Sequence, residues 1–121
     1  MNSPQALIIE DNEDASTIFA RALQEAGFEF EIIQTGDAAL ARLADATPDV
    51  VVLDLELPRV SGVEILHHIR ADTRLAGIQV IITTAYPDLA AGLEEEADLV
   101  LFKPVSFVQL RDLATRLGRG L

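Results

Sequence analysis

The chain has 121 residues, a length that suits one domain able to bury a core without staples, and it contains no cysteine. Twenty acidic against nine basic residues leave a formal charge of −11, which argues against direct binding of nucleic acid. The N-terminus lacks the basic start and apolar core of a signal peptide, and no apolar run nears the ~18 residues of a membrane span, so a cytoplasmic protein with no membrane partner is the expectation.

In chain order, Ala6-Leu7-Ile8-Ile9 reads as a buried strand opening into an acidic loop, Glu10 to Asp14. From Ala15 the apolar positions Ile18, Phe19, Ala22, Leu23 and Ala26 recur at helical spacing, and Gly27 stands where a left-handed C-cap belongs. Phe28 to Ile32 alternates, which predicts a second strand near an edge. Thr35-Gly36 starts a helix whose inward residues are Ala39, Leu40, Leu43 and Ala44, with Thr47-Pro48 ending it.

Val50 to Leu53 is an unbroken apolar run and reads as a central strand, with Asp54 at its end and Pro58 and Gly62 in the loop beyond. Ser61 and Glu64 form the pattern of a capping box ahead of a third helix carrying Ile65, Leu66 and Ile69. Ile78 to Ile82 is a fourth strand closed by Thr83-Thr84-Ala85. Pro87 to Glu96 predicts a short, acidic fourth helix, shortened or irregular because its apolar anchors are few. Leu99 to Phe102 is a fifth strand ending in Lys103-Pro104, and Ser106 with Gln109 caps a last helix through Leu117 to Gly118.

Five alternating strand–helix units predict an α/β fold over residues 1–121: a doubly wound parallel sheet in the order 2-1-3-4-5, flavodoxin-like, with helices on both faces. In such a sheet the strand ends on either side of the switch point form the ligand rim. Glu10, Asp11, Asp54, Thr84 and Lys103 all fall there. Three carboxylates crowded together call for a hard cation, with Mg²⁺ the natural one, and a nucleophilic acid beside a metal, a hydroxyl and an ammonium suits phosphoryl transfer. Lys103 is the only lysine in the chain. Taken singly, each residue has an ordinary explanation: Asp54 could cap a turn, Lys103 could snorkel, and Glu10-Asp11 could face a helix dipole. His67 and His68 are adjacent on a helix, cannot form a compact metal pair, and read as solvent-facing, as does the acidic run Glu94-Glu95-Glu96.

Taken together, Glu10-Asp11, the pattern Asp54-x-x-x-Pro58-x-x-x-Gly62, Thr84-Ala85 and Lys103-Pro104 resemble the receiver domain of bacterial two-component response regulators over nearly the whole chain. The resemblance implies that Asp54 accepts a phosphoryl group from a histidine kinase or phosphotransfer protein. It also implies that Glu10, Asp11, Asp54 and the backbone carbonyl of Glu56 hold Mg²⁺, that Thr84 and Lys103 bind phosphoryl oxygens, and that Lys103-Pro104 is cis. The message would pass to a downstream protein or output domain, whether the chain stands alone or forms one module of a larger protein.

Some positions depart from the family pattern. Val100 replaces the aromatic switch residue, Glu96 replaces a common Gly, and the interval from Thr84 to Lys103 is short. Glu56 adds a fourth acid that bears on the lifetime of the phosphoryl group. Two further readings stand beside the first: a receiver fold kept as a phosphorylation-independent interaction module, and a haloacid-dehalogenase-type phosphatase suggested by Asp54-Leu55-Glu56. The last expects a second Asp and a nucleophile on the first core strand, and the sequence offers neither.

Overall fold

The computed structural model describes residues 3–121. Five strands, β1 (Gln5–Ile9), β2 (Glu29–Ile33), β3 (Val50–Asp54), β4 (Gln79–Thr84) and β5 (Leu99–Phe102), form one parallel sheet in the order β2-β1-β3-β4-β5. The helices are α1 (Glu13–Glu25), α2 (Gly36–Leu43), α3 (Gly62–Ala71), α4 (Pro87–Ala90) and α5 (Phe107–Gly118). The order is the one that the run of apolar and alternating strands predicts.

Period-two side chains divide the core into two layers. Leu7, Ile9, Val51, Leu53 and Ile82 pack with α2, α3 and α4 on one face, and Ala6, Ile8, Val50, Val52 and Ile81 with α1 and α5 on the other. Every residue of β3 is buried, because the strand has hydrogen-bonded neighbours on both sides and helices above and below. Each large aliphatic side chain so buried contributes about 1.5–3 kcal/mol. Asp54 therefore ends the most enclosed strand of the sheet.

Four helices begin on side-chain caps: Asn12, Thr35, Ser61 and Ser106 accept from the backbone N–H of Ala15, Ala38, Glu64 and Gln109. Gly27, at φ 97°, follows the C-cap Ala26 in the conformation expected there.

The structure corrects the sequence reading in three places. Helix α1 starts at Glu13, not Ala15, since Asn12 caps it and places Glu13 and Asp14 in the first turn, where their charge favours the helix dipole. Ile18 is 42% exposed, outside the buried stripe of that helix. Ala44 is the exposed C-cap of α2 and does not face inward. The fourth helix, expected to be shortened or irregular, is the single turn Pro87–Ala90, and Gly92 at φ 85° lies in the turns that carry the chain on to β5, so residues 91–96 are not helical.

Arg70 anchors this irregular segment. Its guanidinium donates to the carbonyls of Glu96 (2.6 Å), Ala76 (3.0 Å) and Ile78 (2.7 Å) and to Asp98 Oδ2 (3.0 Å), which also accepts from Val80 N–H at 2.7 Å.

Candidate functional site

The carboxyl ends of β1, β3, β4 and β5 bring Glu10, Asp54, Thr84 and Lys103 to one rim at the switch point between β1 and β3. Glu10 and Asp54 are each 1% exposed, whereas Asp11, one residue later, is open to solvent. Carboxylate oxygens of Glu10, Asp11 and Asp54 lie within 4.8 Å of one another.

Lys103 reaches between two of these acids, with Nζ 3.0 Å from Glu10 Oε1 and 3.2 Å from Asp54 Oδ2. The backbone positions the pair: Lys103 N–H donates to Thr84 O at 2.8 Å, one step beyond the β4–β5 ladder, and Lys103-Pro104 is cis. Asn12 N–H donates to Glu10 Oε2 at 3.1 Å, and Glu56 N–H donates to Asp54 Oδ1 at 3.0 Å.

The loop after β3 is built for close approach. Leu55 N–H extends the sheet by donating to Thr83 O, Leu55 and Leu57 are buried, and Gly62 N–H donates back to Leu55 O. A Cβ on Gly62 would stand 2.3 Å from the carbonyl oxygen of Asp54, so only glycine lets α3 begin this near the acid.

Electrostatics follow from the enclosure. Burial pushes the Asp54 carboxyl above its ordinary 3.8, and the neighbouring Glu10 pushes the same way, against the opposing pull of the Glu56 amide and the Lys103 charge. Burial alone would lower the Lys103 ammonium, but the hydrogen bond to Glu10 and the charges of Asp54 and Glu10 outweigh it and raise the group above 10.5. The rim therefore holds an ammonium firmly charged against an enclosed Asp54 carboxyl that resists ionising.

Thr84 is fully buried and its hydroxyl is engaged locally: it donates to Tyr86 O (3.3 Å) and accepts from Tyr86 N–H (3.0 Å). Val100, half-buried, packs on the α2–α3–α4 side of the sheet beside Ile82 in the ladder. His67 and His68 are exposed, and His67 Nε2 lies 3.2 Å from Glu96 Oε2.

Sequence reasoning placed Glu56 near the site as a fourth acid but missed its contact: Oε1 accepts from Ala85 N–H at 2.8 Å and so ties the loop after β3 to the loop after β4. No spacing rule connects residues 29 apart; only the position of Glu56 two residues beyond Asp54 hinted at it. The Asn12 contact with Glu10 was also missed, because that polar residue read as part of an acidic loop.

With this geometry in place, the family model for the response regulator receiver domain matches residues 6–115. The chain belongs to the response regulator receiver domain family. Sensory transduction protein RegX3 of Mycobacterium tuberculosis is 38% identical over 104 residues, covering 86% of this chain and 46% of that protein. The phosphate regulon transcriptional regulatory protein PhoB of Rhizobium meliloti is 34% identical over 110 residues, 88% of this chain and 48% of the relative. The chain thus spans about half the length of these relatives. Among solved structures, the signal receiver domain of a signal transduction histidine kinase from Syntrophus aciditrophicus superposes with a TM-score of 0.87 at 27% identity, covering 98% of this chain and 92% of that one. A CheY-like receiver domain from Methylobacillus flagellatus gives 0.84 at 27%, covering 96% and 99%.

The chain is accordingly a receiver domain of the two-component response regulators, a kind of domain that signals and is not an enzyme in the usual sense. That sets aside the phosphatase reading, which in any case needs its nucleophile on the first strand, while Asp54 ends the third. The acidic cluster of the receiver is one that could hold a metal: its donors are all carboxylate oxygens, two of them on buried residues, a set that fits a hard cation. Among the described residues no helix is long and apolar enough to cross a membrane.

Proposed function

We propose that this receiver accepts a phosphoryl group on Asp54 from the phosphohistidine of a histidine kinase or phosphotransfer protein, in the cytoplasm. Glu10, Asp11, Asp54 and the backbone carbonyl of Glu56 hold Mg²⁺. The observation that carries the reading is the meeting of three carboxylates within 4.8 Å with the chain's only lysine set against two of them.

In the transfer, a carboxylate oxygen of Asp54 attacks phosphorus in line. The phosphorus–nitrogen bond breaks, and its electron pair returns to the departing imidazole. Bound Mg²⁺ supplies charge neutralisation for the phosphoryl oxygens. Lys103 donates to one of those oxygens from its present place between Glu10 and Asp54, and the Glu56 amide orients the attacking carboxylate. Thr84, once its hydroxyl leaves Tyr86, donates to another.

The phosphoryl adduct adds charge and acceptor oxygens to the rim, which draws the β4–α4 loop inward and changes the surface offered to a downstream protein or output domain. The net charge of −11 directs that output to a protein partner, leaving any nucleic acid contact to another domain.

Incubation with Mg²⁺ and acetyl phosphate tests the reading. A mass gain of one phosphoryl group, absent in Asp54→Asn and in the presence of chelator, is the expected result; an unmodified wild-type protein refutes it.

One observation favours a second reading. Val100 stands half-buried at the position of the aromatic switch, a small side chain with no ring to rotate between two sites. A module whose partner binding is independent of phosphorylation would bind equally well as wild type and as Asp54→Asn.

A further inference from the structure

We infer that the Glu56 side chain is a latch: it occupies the Ala85 amide while Asp54 is unmodified and must be displaced before the β4–α4 loop can close on a phosphoryl group. The inference rests on Asp54 being the phosphoryl acceptor.

One residue bridges the two halves of the rim. Glu56 N–H donates to Asp54 Oδ1 at 3.0 Å, while Oε1 of the same residue accepts from Ala85 N–H at 2.8 Å. Asp54 pairs with Thr83 in the ladder, so Ala85 is the second residue past the acid's neighbour, at the start of the loop that must move. Both donors at this strand end are already spent, the Thr84 hydroxyl on Tyr86 and the Ala85 amide on Glu56. A carboxylate and a phosphoryl group are both pure acceptors. They therefore compete for one N–H.

The latch is poorly settled. Glu56 Oε2 is buried and has no hydrogen-bond partner among the described residues, so the carboxylate keeps its place at the cost of one unsatisfied oxygen. Adding a phosphoryl group to Asp54 brings further negative charge to the residue whose carboxylate the Glu56 backbone already holds. Repulsion then expels the side chain and frees Ala85 N–H for a phosphoryl oxygen. Glu56 acts here through the loop, as a positioning residue that biases the receiver toward its unmodified state.

Trifluoroberyllate, a tetrahedral phosphoryl mimic with acceptor fluorines, tests the latch in the presence of Mg²⁺. Glu56→Ala is expected to bind it at least tenfold more tightly than wild type, about 1.4 kcal/mol, and to exchange its Ala85 amide proton faster in the unliganded protein. Glu56→Gln, which keeps an acceptor without the charge, should retain Ala85 protection with a smaller gain in affinity. Glu56→Ser serves if the alanine variant does not fold. Equal or weaker binding by the shortened variants overturns the latch, and so does tighter binding with Ala85 exchange unchanged, which assigns the gain to charge alone. Failure of every variant and of wild type to bind the mimic instead removes the acceptor reading, and the latch with it.

Discussion

Lys103 Nζ lies 3.0 Å from Glu10 Oε1, an ion pair in which the acid is almost wholly buried and the lysine only partly exposed. Asp54 shares the same ammonium at 3.2 Å. Removing the cation leaves two enclosed carboxylates facing each other, which is the costly half of breaking such a pair.

Lys103→Met should therefore destabilise the fold by about 1–3 kcal/mol in chelator, and by less when Mg²⁺ is added, because bound metal neutralises the same acids. Urea denaturation with and without Mg²⁺ measures both. A loss equal in the two conditions would count against a metal at Glu10, Asp11 and Asp54. The ammonium itself is raised above 10.5, so its contribution is full below that value and is lost as pH rises through the folded-state pKa.

Asp54 has the opposite effect on the neutral-pH fold. Its folded-state pKa is raised above 3.8, chiefly by burial, so the native state holds the proton more tightly than the unfolded chain does. The stability that this proton confers is present below 3.8 and lost as pH rises through the raised value. In chelator, Asp54→Asn should melt higher than wild type at neutral pH, and the difference should shrink as the solution is acidified through that window. Thermal unfolding as a function of pH decides it; an Asn variant that melts lower at neutral pH would contradict the reading.

Gly62 meets the backbone of the acid it follows. Gly62→Ala brings Cβ to 2.3 Å from Asp54 O and should cost about 1–3 kcal/mol through forced displacement of the β3–α3 loop. Gly77→Ala, where nothing lies within 4 Å and φ is not positive, is the control and should be neutral or slightly stabilising. Denaturation midpoints of the two variants, compared with wild type, test the contrast.

Arg70 stands in for the helix that the segment after Ala90 does not form. Arg70→Lys keeps the charge but loses the fork that serves three carbonyls and Asp98, and should cost about 1–3 kcal/mol. Amide exchange should rise selectively in residues 91–98. Uniform acceleration across the sheet would mean that Arg70 supports the whole fold and not this segment.

The sheet order and the rim were legible because buried parallel strands are short apolar runs and each of four ended in a polar residue: Glu10, Asp54, Thr84 and Lys103. The start of α1 was less so. Asn12 looked like one more member of an acidic loop, since a cap is defined by a hydrogen bond to Ala15 that no periodicity encodes. Ala44 matched the apolar spacing of α2, but alanine is tolerated on either side of a helix end. Nor did pattern point to Glu56 meeting Ala85 or Arg70 meeting Glu96; the first joins two loops and the second joins α3 to a loop, each distant in sequence, and tertiary placement alone creates them.

The solitary lysine has a practical consequence. Every ε-amine in the chain is the one at the rim, so an acylating reagent that spares the α-amine marks a single atom, next to Glu10 and Asp54. Its labelling rate reads how tightly those two acids keep the amine protonated, and turns the chemistry of one side chain into a direct gauge of the charge held at the end of β3.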